Sequence, residues 1–151
     1  MFGFIFIYIF ILYMKIVNFE GTNIYVNKLL PFKGFFAMML FGLIFMRSEF
    51  ENYLYDDYKK PAIRKMVNHE NIHKEQIKDF GLPFFWCKPL QILFGGIIFY
   101  LIYILEWFIR LFINGSAAYK NISFEKEAYN NELDFKYIQE KRKHFNQWRK
   151  C

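Results

Sequence analysis

The chain has 151 residues, of which 55% are hydrophobic and 23% aromatic, and a formal net charge of +6. That length gives a single domain with room for a sizeable core. Two cysteines, Cys87 and Cys151, without C-x-x-C spacing, exclude a zinc knuckle and a disulfide framework and fit a reducing compartment.

Residues 2–14 are uniformly apolar. They are too few for a bilayer-crossing helix, which needs about 20 residues, and they lack a basic flank and cleavage site. They are read as an anchor or an extension ahead of a domain over 15–140. In 15–30 polar and apolar residues mix in the strand manner, with a turn over Asn18–Thr22 pivoting on Gly21. After the break at Pro31-Phe32-Lys33-Gly34, the run Phe35–Met46 is expected as two short buried strands bent at Gly42. Residues 48–60 form a loop or short helix.

The next stretch carries the chemistry. His69-Glu70-Asn71-Ile72-His73 has the H-E-x-x-H pattern, which on a helix sets both imidazoles on one face, able to bind one metal ion, with the glutamate beside it as a base. The flanks predict that helix: Pro61 suits its start and Gly81 the residue past its end. Ile63, Met66, His69, Glu70, His73, Gln76 and Ile77 share the stripe that faces the core. Arg64, Asn68, Asn71, Glu75, Lys78 and Asp79 fall on the other, wet side.

Beyond a proline-bracketed connector, Leu90–Ile113 is the most hydrophobic segment. Glu106 and Arg110 can pair at i, i+4, and Trp107 with Arg110 suits an interfacial boundary. A core helix and a membrane-embedded helix both fit, and membrane contact is favoured because the apolar surface is large for so small a domain. Asn114-Gly115-Ser116 closes it. Ser123 then offers an N-cap, with Glu125 and Glu127 in the first turn of a third helix whose packing face runs Phe124, Ala128, Asn131, Phe135 and Ile138 at three- and four-residue intervals. The excess positive charge sits in 141–151, beside Trp148. This basic tail is expected to be a solvated end or, next, a membrane-surface contact, rather than a nucleic-acid site.

A catalytic zinc usually takes three protein ligands and leaves one position open. The longer form of the motif with a third histidine is absent, since Gln76 and Asp79 stand where it would place Gly and His. His144 lies in the basic tail and reads as a surface histidine. The glutamates Glu125, Glu127 and Glu106 remain, each with an ordinary account as a helix-start carboxylate or as the partner of Arg110.

Ser123-Phe124-Glu125-Lys126-Glu127-Ala128-Tyr129 resembles the Glu-x-x-Ala-Asp element of gluzincin metallopeptidases, among them the membrane CAAX prenyl endopeptidases and bacterial heat-shock membrane metallopeptidases. The resemblance implies that Glu125 is the third zinc ligand, with Glu127 the next candidate. It departs at Tyr129, which stands in place of the Asp and, like Gln76, is a residue that could orient a ligand. From Pro31 onward the chain also looks like a group of small bacterial H-E-x-x-H proteins with no established substrate. The landmarks are Pro31-Phe32-Lys33-Gly34, the run to Arg47, His69-Glu70-x-x-His73-x-x-Gln76, Glu106-Trp107-x-x-Arg110 and Ala118-Tyr119-x-Asn121-Ile122-Ser123-Phe124-Glu125-x-Glu127-Ala128.

The expectation is an α+β, mainly helical fold: a minimal zincin-like core with a short N-terminal strand pair, an active-site helix, a long apolar helix and a glutamate-bearing helix. Its function would be zinc-dependent hydrolysis of a peptide or protein substrate, with water deprotonated by Glu70 and zinc held by His69, His73 and Glu125. The expected location is membrane-associated, on the cytoplasmic side or in a reducing compartment. A catalytically silent metal-binding protein and a membrane-associated interaction protein are the competing classes.

Overall fold

The structure, a computed structural model, describes residues 14–149. The stretch read as an anchor, apart from Met14, lies outside these residues, as do Lys150 and Cys151. The fold is mixed α+β and mainly helical. Strands β1 (Lys15–Phe19), β2 (Thr22–Asn27), β3 (Ala37–Leu40) and β4 (Leu43–Arg47) form one sheet in the order β1-β2-β4-β3.

Both hairpins turn in two residues. Phe19 pairs with Thr22, and Leu40 with Leu43. Their central residues, Glu20-Gly21 and Phe41-Gly42, have φ of 48° and 84°, and 45° and 79°, the left-handed pair that matches strand twist and calls for glycine at the second position. The bend foreseen at Gly42 is this turn. β2 and β4 run parallel, with Ile24 beside Ile44 and Val26 beside Met46. These four side chains fill one face of the sheet and meet Leu54, Ile63 and Val67 in a buried cluster.

Helix α1 (Lys60–Phe80) lies across that face. Helix α2 (Lys88–Asn114) is the long apolar segment, and α3 (Ser123–Asn131) carries Glu125. Between β4 and α1, Ser48–Leu54 is a short 3-10 helix. α1 and α2 cross at two glycines. A Cβ on Gly95 would come 2.2 Å from the Ile77 carbonyl oxygen, and one on Gly81 would come 2.2 Å from that of Gln91. Gly81 has φ −87°, so close approach, not a left-handed cap, is what requires glycine there. Met39, Ile77, Phe99, Ile122 and Phe124 build the second cluster, where β3 and all three helices meet.

Four expectations need correction. Asn68 and Asp79, assigned to the wet side of α1, are buried at 8% and 1% exposure. The third helix stops at Asn131 instead of running to Ile138, and a short π-helical turn over Tyr137–Lys141 follows. The burial of Asn68 and the end of the helix have one cause over residues 131–134. The Asn68 amide donates to the backbone oxygens of Asn131, Glu132 and Asp134 at 3.2, 3.0 and 3.2 Å, holding the chain in a turn over α1.

Ser123 does not cap its helix; it is the first helical residue. Its N–H and Oγ–H both donate to the Glu106 carboxylate, at 2.9 and 2.6 Å. A carboxylate from α2 thus stands at the positive end of the α3 dipole. Finally, the basic end is not a solvated tail over Arg142–Trp148. The Arg142 side chain is 5% exposed, Gln147 is buried, and the Phe145 and Trp148 rings pack on Phe80.

Candidate metal centre

His69 and His73 are one turn apart on the core stripe of α1, and their rings meet edge to face. α3 enters from the opposite side and brings Glu125 to them. His69 Nε2 is 3.2 Å from His73 Nε2. Glu125 Oε2 is 3.4 Å from His69 Nε2, and its Oε1 is 3.3 Å from His73 Nε2. All three residues are buried, and together they could hold a metal ion. Glu127 and Glu106 do not take part. Glu127 points the other way, to Gln76, Tyr137 and Arg142, and Glu106 is committed to Ser123 and Arg110.

The donor inventory of this triad leaves room for a cation. His69 Nδ1 faces Glu132 Oε2 at 3.0 Å, and His73 Nδ1 faces Gln76 Oε1 at 2.8 Å. A carboxylate and an amide carbonyl only accept, so each Nδ1 carries the hydrogen and each Nε2 presents a lone pair. Two lone pairs and a carboxylate therefore converge, and Glu125 Oε2 is buried with no hydrogen-bond donor. Such a set is repulsive without a positive charge at its centre. Ligand atoms about 2.0–2.1 Å from a tetrahedral ion sit roughly 3.3–3.4 Å apart, close to the 3.2 Å between the two Nε2 atoms and the 3.3–3.4 Å from each of them to one of the two Glu125 oxygens.

Without a metal the missing charge is a proton. Burial alone would lower the His73 pKa, but the Glu125 carboxylate outweighs it and pushes the group up to about 9. Burial likewise opposes ionisation of Glu125, yet the His73 and His69 rings hold its carboxyl well below the usual carboxylate range.

Glu70 lies beside the triad, and burial pushes its carboxyl above the ordinary value. Two clefts flank it. One, of about 390 Å³, is lined by Phe32, Phe35, Met38, Phe99 and Ile104 together with Glu70 and His73. The other, of about 440 Å³, carries Lys65, Met66, Tyr129 and Glu132 together with Glu70 and His69. β3 is an edge strand of the sheet, and Ala37 borders both clefts.

Of the two residues expected to orient ligands, Gln76 holds His73 directly, whereas Tyr129 packs its ring against His69 at 4.7 Å between centroids. Sequence reasoning missed three neighbours. Glu132 holds His69 and is itself paired with Lys65 at 2.9 Å. Tyr103 donates to Glu125 Oε1 at 2.7 Å. Tyr119 stands at both clefts. Tyr103 carried a usable signal: a hydroxyl on the α2 face that also presents Phe99 and Tyr100. The others depend on where α3 ends and how the chain enters it.

His144, read as a surface histidine, is largely exposed, yet its Nδ1 lies 2.7 Å from the buried Asp79 carboxylate. Comparison with protein-family models, curated proteins and solved structures finds no match to the chain.

Proposed function

We propose that this protein is a zinc-dependent hydrolase of the gluzincin type, acting on peptide bonds. The observation that carries the reading is the convergence of His69 Nε2, His73 Nε2 and the Glu125 carboxylate at 3.2–3.4 Å with both Nδ1 atoms committed elsewhere. His2Glu is a common protein set for catalytic zinc with an open fourth position. When bound, the ion supplies Lewis acidity, lowering the pKa of a water toward about 7 and polarising a carbonyl.

The chain's own residues supply the rest. Glu70 takes the proton of the attacking water and later delivers it to the leaving amine; a carboxyl whose pKa is raised by burial is suited to both roles. Clefts on both sides of Glu70 favour a substrate that extends past the reacting bond in both directions. The β3 edge offers such a chain a strand to pair with. Open clefts also favour catalysis over a silent metal site. We further infer that the protein sits on a membrane, on its cytoplasmic side, through the uncovered apolar face of α2.

Metal content and turnover test the reading together. Purified wild type should carry one zinc, Glu125→Ala and His69→Ala should lose it, and Glu127→Ala, which removes no ligand, should still bind it, though more weakly. Glu70→Gln should keep the metal and lose peptide hydrolysis by several orders of magnitude. Full activity in Glu70→Gln, or no zinc in wild type, overturns the proposal.

A further inference from the structure

Gln76 is fully buried, and the orientation of its amide is decided by its neighbours. Its Nε2 lies 3.0 Å from the Phe124 carbonyl oxygen and 3.0 Å from Glu127 Oε2. The first can only accept. The second is also an acceptor, because Tyr137 Oη and Arg142 Nε both donate to the other oxygen of that carboxylate, at 2.9 and 2.8 Å. Reversing the amide would set its oxygen against two acceptors, so Oε1 is left facing His73 Nδ1.

Arg142 is held in turn by its far edge. Its Nη2 donates to Asp79 Oδ2 at 2.8 Å and its Nη1 to Oδ1 at 3.3 Å. His73, Gln76 and Asp79 follow one another at three-residue steps along α1. Glu127 from α3 and Arg142 from the C-terminal segment bridge the second to the third. Burying Asp79, Glu127 and Arg142 carries a desolvation cost that their mutual attraction must offset. An apolar contact would staple these elements together without that cost.

We propose that Glu127 and Arg142 are positioning residues for the metal centre: by fixing the direction of the Gln76 amide they hold His73 in the tautomer whose Nε2 faces His69 and Glu125. The metal part of this inference rests on the reading of that triad as a zinc site. A ring with its proton on the wrong nitrogen cannot ligate from Nε2, so the relay acts on metal affinity and not only on the strength of the fold.

The test compares full-length wild type, Gln76→Glu, Glu127→Gln and the double variant. Three quantities are read: imidazole 15N shifts of His73 in metal-free protein at a pH where both rings are neutral, zinc affinity by chelator competition, and the urea midpoint. Wild type should show His73 protonated at Nδ1. Gln76→Glu sets two carboxylates against each other and should lower the urea midpoint, but a carboxylate only accepts, so His73 should keep its Nδ1–H form and bind zinc no more weakly. The double variant reverses that contact, with the amide of residue 127 donating to the carboxylate at 76, and should recover the urea midpoint with His73 still protonated at Nδ1. Glu127→Gln alone, whose amide can turn either way, should show mixed His73 tautomers.

A purely structural bracket predicts a lower urea midpoint with an unchanged His73 tautomer and wild-type zinc affinity in Glu127→Gln; that pattern overturns the proposal. Should Gln76→Glu fail to fold, Glu127→Gln decides alone, since an unmixed tautomer with wild-type zinc affinity would leave Phe124 as sufficient. A wild type with the Nδ1–H tautomer that binds no zinc supports the relay and removes the metal reading.

Discussion

At the residue scale, a proton and a bound metal ion would compete for one position among three acceptors. His73 ordinarily titrates near 6.5, and in the metal-free fold its pKa is pushed up to about 9, where Glu125 overrides the effect of burial. The sign follows directly. The contribution of the protonated His73 paired with Glu125 is fully present below the unfolded value and is lost as pH rises through about 9. Glu125 works in the opposite sense, its contribution being present above the ordinary carboxylate range and lost only in strong acid. A metal ion must displace the His73 proton, so below that upper value binding releases it. Apparent zinc affinity should therefore climb about tenfold per pH unit from neutral pH and level off near 9. Titration with a competing chelator between pH 6.5 and 9.5 reads this slope. A flat profile would mean that His73 is neutral in the metal-free protein.

At the element scale, the axis of α1 and its inward stripe were legible because both follow from the 3.6-residue period of one segment. Ile63, His69, Glu70, His73, Gln76 and Ile77 are all buried as that period requires. What the period cannot see is a second cover. Asn68 and Asp79 lie off the stripe and look like wet-side residues, but the chain after α3 folds back over them and spends backbone oxygens and Arg142 on their side chains. The end of α3 was misjudged for the same reason, since apolar spacing to Ile138 does not reveal that Asn68 takes three carbonyls out of a helix. Gly81 was placed correctly for a different cause, and Gly95, its counterpart in the crossing, gave no local sign. Gly95→Ala tests the crossing. A Cβ 2.2 Å from the Ile77 oxygen must push α1 and α2 apart, an overpacking cost of about 1–3 kcal/mol or more. Urea unfolding should show a lower midpoint, and zinc affinity should fall too, because His73 and Ile77 share the displaced turn. An unchanged midpoint would show that the helices have slack there.

At the scale of the whole molecule, α2 is the element with an unsettled environment. It is long and apolar enough to cross a membrane, with a mean hydropathy of 2.2 over its most apolar window, of which 17% is buried. Gly95, Gly96 and Phe99 face the core, whereas Leu101, Ile104, Leu105, Phe108, Phe112 and Ile113 are exposed. A soluble core helix would be mostly covered, and so large an uncovered patch calls for a partner of matching chemistry. Lipid is that partner in our reading, with Trp86 and Trp107, both exposed, as anchors suited to an interface. The choice of lipid over protein makes a specific demand: binding should need no particular headgroup and should survive high salt, because area and not charge drives it. Purified protein should float with neutral phosphatidylcholine vesicles at both low and high salt. Replacing Leu101, Leu105 and Phe112 together by Lys should release it into the soluble fraction, while zinc content stays at the wild-type value since none of the three lines the clefts or touches the triad. Protein that is monodisperse in buffer without detergent and ignores vesicles would return α2 to the role of a core helix and point to a protein on that face. Flotation that vanishes with added salt would move the contact from α2 to the exposed Lys141 and Lys143 of the C-terminal segment.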